Sequence, residues 1–291
     1  MLNYLKQFFK EYSYEESDSA FLISTYEKVM ENPETAALWN SSVASYEKDI
    51  NCDYSEIIST ADKVAAILNI NEYTLEMLIF VCLSHHLKLI YAEKGFSDDM
   101  FRGVALDIKY KLDECKLVRG IVGSFVAIWF VGFFKLTRFS LGRLQFEIVD
   151  FGHHYEKDGK TLSPNSKVIN VHIPRSMTPL DKDSCDKAYE LAKLHFKGAY
   201  DEPCAFVCGS WLLYPENLRI LSPTSNTHRF ISEYDIIDSG INKDRDNLWR
   251  LFDTDEKNPD KLPANTSMRR AYVSHLKNGG KVGWGFGVML R

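Results

Sequence analysis

Residues 168–196 hold the densest group of side chains able to do chemistry. An apolar strand ends in Val171-His172-Ile173-Pro174, a polar loop follows, and a helix begins at Asp181. A strand running into a helix N-terminus gathers unpaired backbone N–H groups at the positive end of the helix dipole, an arrangement suited to a phosphate or another anion. The loop adds Arg175 and the hydroxyls of Ser176 and Thr178, a donor set that fits a pyrophosphate. Asp181 acts against this, because a capping carboxylate takes the same amides. An ordinary strand-to-helix connection with one solvated arginine accounts for these residues equally well.

The elements that position this loop are legible in the pattern. From Leu2 to about Cys115 the chain reads as helices, with Leu75, Leu78, Ile79 and Cys82 at three- and four-residue spacing. Breaks fall near Asn32-Pro33, Asn51-Cys52-Asp53 and Gly95-Phe96-Ser97. Residues 121–134 are uncharged and strongly apolar but fall short of the roughly 20 residues that a membrane crossing needs, so a buried helix is expected there. After it the run 141–151 alternates apolar with polar, with Leu144, Phe146 and Ile148 on one face and Gln145 and Glu147 on the other.

A second strand around 153–157, the turn Asp158-Gly159 and the strand 168–173 should extend this into an antiparallel sheet. The helix from Asp181 carries Cys185, Ala188, Tyr189, Ala192 and Phe196 on its buried stripe. Residues 203–209 read as a strand, 215–221 as a short helix, 229–236 as a strand, 263–277 as a helix stopped by Gly279-Gly280, and 281–290 as a closing strand. The expected fold class is α/β (α+β): a helical N-terminal domain over residues 1–116, then a mixed, mostly antiparallel sheet flanked by helices over 117–291.

Composition narrows the function. At 45% hydrophobic and 26% charged residues, the 291-residue chain has the make-up of a globular protein. A formal net charge of −5, with no run of Lys and Arg interleaved with aromatics, argues against nucleic acid as a partner. The six cysteines have no CxxC pairing that suits zinc, and the adjacent pairs His85-His86 and His153-His154 lack the i, i+4 spacing of a helical metal site, so no metal is expected. Reduced, buried thiols, a start without the apolar core of a signal peptide and the short apolar run together point to the cytoplasm and to no membrane role. Cys208 lies among apolar residues and reads as a buried thiol rather than a nucleophile.

Five segments in one order carry a family resemblance: Leu141-Gly-Arg-Leu-Gln-Phe-Glu, Val171-His-Ile-Pro, Gly209-Ser-Trp-Leu-Leu-Tyr-Pro, Ser225-Asn226 before Arg229-Phe230, and Leu262-Pro-Ala-Asn-Thr-Ser-Met-Arg-Arg-Ala. From about Leu141 onward the chain resembles bacterial acyltransferases in which a helical N-terminal domain precedes a domain similar to the GCN5-related N-acetyltransferases. The resemblance implies two splayed strands, at 168–173 and 203–209, with the pantetheine arm of an acyl-CoA in the gap. It also implies a pyrophosphate site on Arg175, Ser176, Met177, Thr178 and Leu180, with Ile173, Ser210, Trp211 and Asn226 as further cofactor contacts. The Arg/Gln-x-x-Gly-x-Gly/Ala signature of the wider superfamily is absent, and no glycine lies between His172 and Asp181.

The implied chemistry needs a base, because a primary amine with a pKa of about 10 is mostly protonated at neutral pH. His172, pointing away from the face of Val171 and Ile173, is favoured for that role, and Glu147 is the second candidate. Tyr214 is the candidate acid for the departing thiolate and Trp211 a pocket wall, with core packing as the competing role for both. Ser225 and Asn226 are equally suited to tying a loop through side-chain to backbone bonds. The expected function is an N-acyltransferase that uses acetyl-CoA or another acyl-CoA as co-substrate and a small amine as acceptor. The alternative is a catalytically degenerate module that binds CoA or a small molecule.

Overall fold

Capping residues set the helix boundaries near the start of the chain. Asn32 accepts from the Glu34 and Thr35 amides ahead of Pro33, Asp53 from Ser55 N, and Asn71 from Tyr73 N. Each satisfies donors that a helix start leaves unpaired. The resulting helices are α1 (Leu2–Glu11), α2 (Glu16–Glu31), α3 (Pro33–Lys48), α4 (Tyr54–Leu68), α5 (Glu72–Glu93) and α6 (Asp98–Arg119), the last closed by Gly120 at φ 70°. The computed structural model describes residues 1–176 and 178–291 and divides into two compact units, Met1–Phe139 and Ser140–Arg291.

The centre of the first unit is α5, the one helix among the described residues long and apolar enough to cross a membrane; 67% of its most apolar window is buried inside the protein. The apolar run 121–134, expected as a buried helix, forms only a 3-10 turn (Ala127–Phe130) and α7 (Val131–Phe134). The reason is local. Thr74 Oγ1 donates to Val122 O at 2.8 Å and Ser124 N donates to Tyr73 O at 2.9 Å, so the chain before the turn docks on the start of α5 instead of bonding to itself. Gly123 lies so close to the Tyr73 carbonyl carbon that a Cβ there would fall at 2.5 Å. Phe130 and Phe134 pack edge-on against Phe80 of α5, so residues 117–139, expected with the second domain, belong to the helical unit.

In the second unit a six-stranded sheet runs in the order β1-β2-β5-β6-β8-β7, where β1 is Arg138–Leu141, β2 Leu144–Asp150, β5 Lys167–His172, β6 Ala205–Ser210, β7 Asp235–Ile241 and β8 Gly283–Leu290. The alternating run 141–151 is thus β2, joined to the end of β1 at Leu141 by a turn through Gly142 with φ 66°. β3 (Tyr155–Lys157) and β4 (Lys160–Leu162) do not extend the main sheet. They form a separate hairpin whose turn, Asp158-Gly159, places both residues at positive φ.

The helices are α8 (Lys182–His195), α9 (Asn217–Ile220), α10 (Asn226–Ser232), α11 (Trp249–Phe252) and α12 (Ser267–Lys277). The first half of residues 229–236, expected as a strand, is the end of α10, because Ser225 Oγ caps the His228 amide at 3.1 Å and starts a helix; the strand begins only at Asp235.

The two faces of the sheet differ. Phe146, Phe206 and Tyr189 of α8 pack together on one face, with ring centroids 4.9–6.1 Å apart. On the other, Val168, Ala205, Val207 and Val288 form a core with Phe151, Tyr155 and Leu162 of the hairpin region. β8 meets the 3-10 turn Trp211–Leu213 so closely at Gly285 that a Cβ would fall 2.1 Å from Leu213 O. Gly285→Ala should therefore destabilise the second unit by about 1–3 kcal/mol, read as a lower denaturation midpoint with unchanged m-value.

In the helical unit, burial pushes the Glu76 carboxyl from 4.5 up to about 7, reinforced by the neighbouring Asp62 carboxylate. A carboxyl whose folded pKa exceeds its unfolded one contributes stability that is whole below the unfolded value and lost as pH rises through the folded value. Relative to wild type, Glu76→Gln should thus gain melting temperature between pH 4.5 and 8, with the two proteins closest at the acid end.

Candidate active site

Strand alternation places three polar side chains together on the hairpin face of the sheet. Antiparallel pairing of β2 with β5 sets Glu147 opposite Asn170 and Gln145 opposite His172, so Glu147, Asn170 and His172 share one face. His172 Nε2 lies 2.6 Å from Glu147 Oε1, and Asn170 Nδ2 donates to the same oxygen at 3.1 Å. An ionised carboxylate only accepts, so Nε2 carries the proton and donates it. Asn170 Nδ2 also lies 3.2 Å from His172 Nε2. With side-chain exposures of 21% for His172 and 17% for Glu147, the pair is partly shielded from water. The two residues considered as rival bases thus form one hydrogen-bonded pair, a geometry in which a carboxylate can orient an imidazole ring.

Beside this pair the sheet opens. β5 and β6 run parallel but meet only at Ile169↔Phe206 and Asn170↔Val207. β6 remains paired with β8 from Ala205↔Leu290 to Ser210↔Gly285, and β5 with β2 up to Gln145↔His172. Beyond Asn170 and Val207 the strands part, which gives the splay that the resemblance implies. Cys208 lies in this stretch, but burial pushes its thiol up to about 12, so it is no thiolate nucleophile.

The loop after β5 is held from several sides. Arg143 donates to Pro179 O at 3.1 Å and Pro174 O at 3.2 Å, and Arg229 donates to Leu180 O at 3.0 Å. Carbonyls that would repel a phosphate are thereby turned toward guanidinium groups. Arg175 pairs with Asp253 at the C-cap of α11, whose other oxygen receives Arg269 of α12 at 2.5 Å. The expected phosphate-binding arginine is therefore already bound to a carboxylate. Asp181 accepts from Ser184 N at 2.9 Å, the bond that chiefly holds its carboxyl below the usual range, so part of the α8 N-terminus is occupied by its own cap.

The remaining expected site residues separate into groups. Ser176 and Thr178 bond to each other through their hydroxyls at 2.9 Å on the exposed loop, Ile173 and Leu180 flank it, and Met177 lies outside the described residues. Ser210 caps the 3-10 turn through Leu212 N, and Trp211 packs 6.2 Å from Tyr272 in the core on the opposite face, as its competing role foresaw. Tyr214 lies over β8, where a Cβ on Gly283 would fall 2.5 Å from its ring; the structure thus sets it on the far side of β6 from the His172 gap. Asn226 is exposed at the first turn of α10, behind its Ser225 cap. Sequence reasoning missed Asn170, although it sits two residues before His172 on the same strand face. It also missed Asp253, which no local pattern marks.

Comparison with known proteins agrees with this architecture. The model of the GNAT-like C-terminal domain family matches residues 138–289. Among solved structures, an acyltransferase variant in complex with octanoyl-CoA superposes with a TM-score of 0.74 at 18% identity, covering 97% of this chain and 86% of that one. An acyltransferase in complex with decanoyl-CoA and teicoplanin gives 0.67 at 18% identity over 98% and 99%. A third, with decanoyl-CoA, gives 0.63 at 20% identity over 76% and 67%. No curated protein matches in sequence. The parted β5 and β6 strands, the strand order and the matched span, more than half of the chain, place this protein in the GNAT-like C-terminal domain family.

Proposed function

We propose that this protein is an acyl-CoA-dependent acyltransferase that moves an acyl group to an amine by direct attack, without a covalent enzyme intermediate. The observation that carries this reading is the Glu147–His172 pair beside the opening between β5 and β6. The family match and the CoA thioesters held by the structural neighbours support acyl-CoA as the co-substrate. We place the reaction in the cytoplasm, a compartment in keeping with the six free cysteines.

The pantetheine arm lies between the parted strands, where backbone N–H and C=O groups without a cross-strand partner await an extended ligand. The pyrophosphate approaches the loop at Arg175, Ser176 and Thr178, and Arg175 turns to it from Asp253. The ammonium first sheds one proton to solvent water, and the neutral nitrogen then attacks the thioester carbonyl carbon while His172 takes a second proton from it. Glu147 stabilises the imidazolium from the Nε2 side. The carbonyl oxygen becomes an oxyanion that a strand N–H at the splay stabilises. Collapse breaks the C–S bond, and the proton on His172 passes to the departing thiolate, so base and acid are one residue. This assigns to His172 the proton delivery first expected of Tyr214.

Thermal shifts with CoA, acetyl-CoA and octanoyl-CoA should show stabilisation, and thiol release should appear with some members of a mixed amine panel. Stabilisation without turnover would favour a binding module, and no stabilisation by any of the three would sink both CoA readings. His172→Ala should lower turnover by about 10²-fold or more while keeping the acyl-CoA thermal shift. Unchanged turnover at several pH values would remove it as the base.

A further inference from the structure

The polar triad does not stand alone on its face of the sheet. The register carries the level of His172 across the gap to Gly209 on β6 and from there to Phe286 on β8, with Trp284 two residues beyond on the same face. Trp284 is 43% exposed, a large apolar side chain on the surface where the reaction would occur. Its indole lies flat on Gly240 of the edge strand, where a Cβ would fall 2.6 Å from Nε1. Gly209, also exposed, brings no side chain between His172 and the Phe286 ring, and a Cβ there would touch that ring at 3.5 Å. Phe286 is itself packed against His153 and Phe151, so the aromatic shelf open on this face is Trp284. The exposed Asp238 carboxylate stands opposite Phe286, and Glu147 lies at the other end.

β8 lies inside the sheet, between β6 and β7, so Trp284 is not there to guard a sheet edge. What favours a ligand here is placement: Trp284 lies on the same face as the catalytic pair, across the gap, and the exposed Asp238 carboxylate beside it has the sign that attracts a cationic amine. Resting on the acyltransferase reading above, we infer that the acceptor is an amine with a flat aromatic or apolar body, which lies on Trp284 while its nitrogen reaches His172. Trp284 stands on β8, beyond β6 and the opened gap, so more than two inter-strand steps of about 4.8 Å separate it from the base, and nitrogen and ring need a spacer of several atoms.

The test compares phenylalkylamines of increasing spacer length with ethanolamine and putrescine, by calorimetry on the CoA-saturated protein and by thiol release. Phenylalkylamines with the longer spacers should bind at least tenfold more tightly than ethanolamine. Trp284→Ala should raise their KM about tenfold, with kcat and the KM for acyl-CoA within twofold of wild type, and Trp284→Phe should restore most of the loss. Equal affinity for both amine classes in the wild type, or a Trp284→Ala protein with unchanged KM and binding, overturns the shelf. Tight phenylalkylamine binding that depends on Trp284 but releases no thiol would sink the acyltransfer reading and leave the binding site standing. Turnover with no preference for a ring would sink the shelf alone.

Discussion

The brief parallel contact of β5 with β6 is the constraint around which the second unit is organised. Both strands are secured on their outer sides, β5 by β2 from Gln145↔His172 to Asp150↔Lys167 and β6 by β8 along its whole length. Each wall is therefore held independently, and the gap need not close for either to be stable. Backbone polar groups facing such a gap need water or a ligand to satisfy them, because burying them unpaired would cost more than the lost contact. Strand alternation then decides what the opening presents: apolar residues toward α8, and Glu147, Asn170 and His172 toward the opposite face.

Electrostatics arranges the loop that follows. Arg143 and Arg229 gather the carbonyls of Pro174, Pro179 and Leu180, which fixes the path of the backbone without a glycine. The missing superfamily signature thus has a structural counterpart: side-chain cations from β2's leading turn and from α10 determine the path that glycines would otherwise permit. Arg229 also pairs with Glu233 of the same helical segment, so the cation holding Leu180 is itself oriented.

Local signals carried much of this architecture. The caps Asn32, Asp53 and Asn71, the Asp-Gly turn and the alternation of Phe146 with Glu147 each act over a few residues, and each is found where its chemistry predicts. What failed to show depends on partners distant in the chain. The apolar run 121–134 has helical composition, yet its backbone is claimed by Tyr73 and Thr74, nearly fifty residues earlier. Residues 229–236 have the apolar content of a strand, but one cap at Ser225 makes the first half of them helical. At the site, His172 and Glu147 were visible singly, and only the β2–β5 register turns two candidates into one pair. Trp211 and Tyr214 lie in the motif-bearing segment, but the close approach of β8 turns both toward packing.

The Asp253 carboxylate, shared between Arg175 and Arg269, has a consequence for how an anion arrives. A phosphate drawn to this loop meets an arginine that already has a partner, so docking is an exchange of counter-ions rather than the capture of a bare charge. When Arg175 swings away, Asp253 stays neutralised by Arg269, which is braced in turn on Leu251 O and Asn265. On the reading proposed above, the loop exchanges one counter-ion for another without leaving a partly buried carboxylate stranded. Such an exchange selects for ligands whose negative charge is dense enough to outcompete an aspartate, a filter that a lone solvated arginine would not impose.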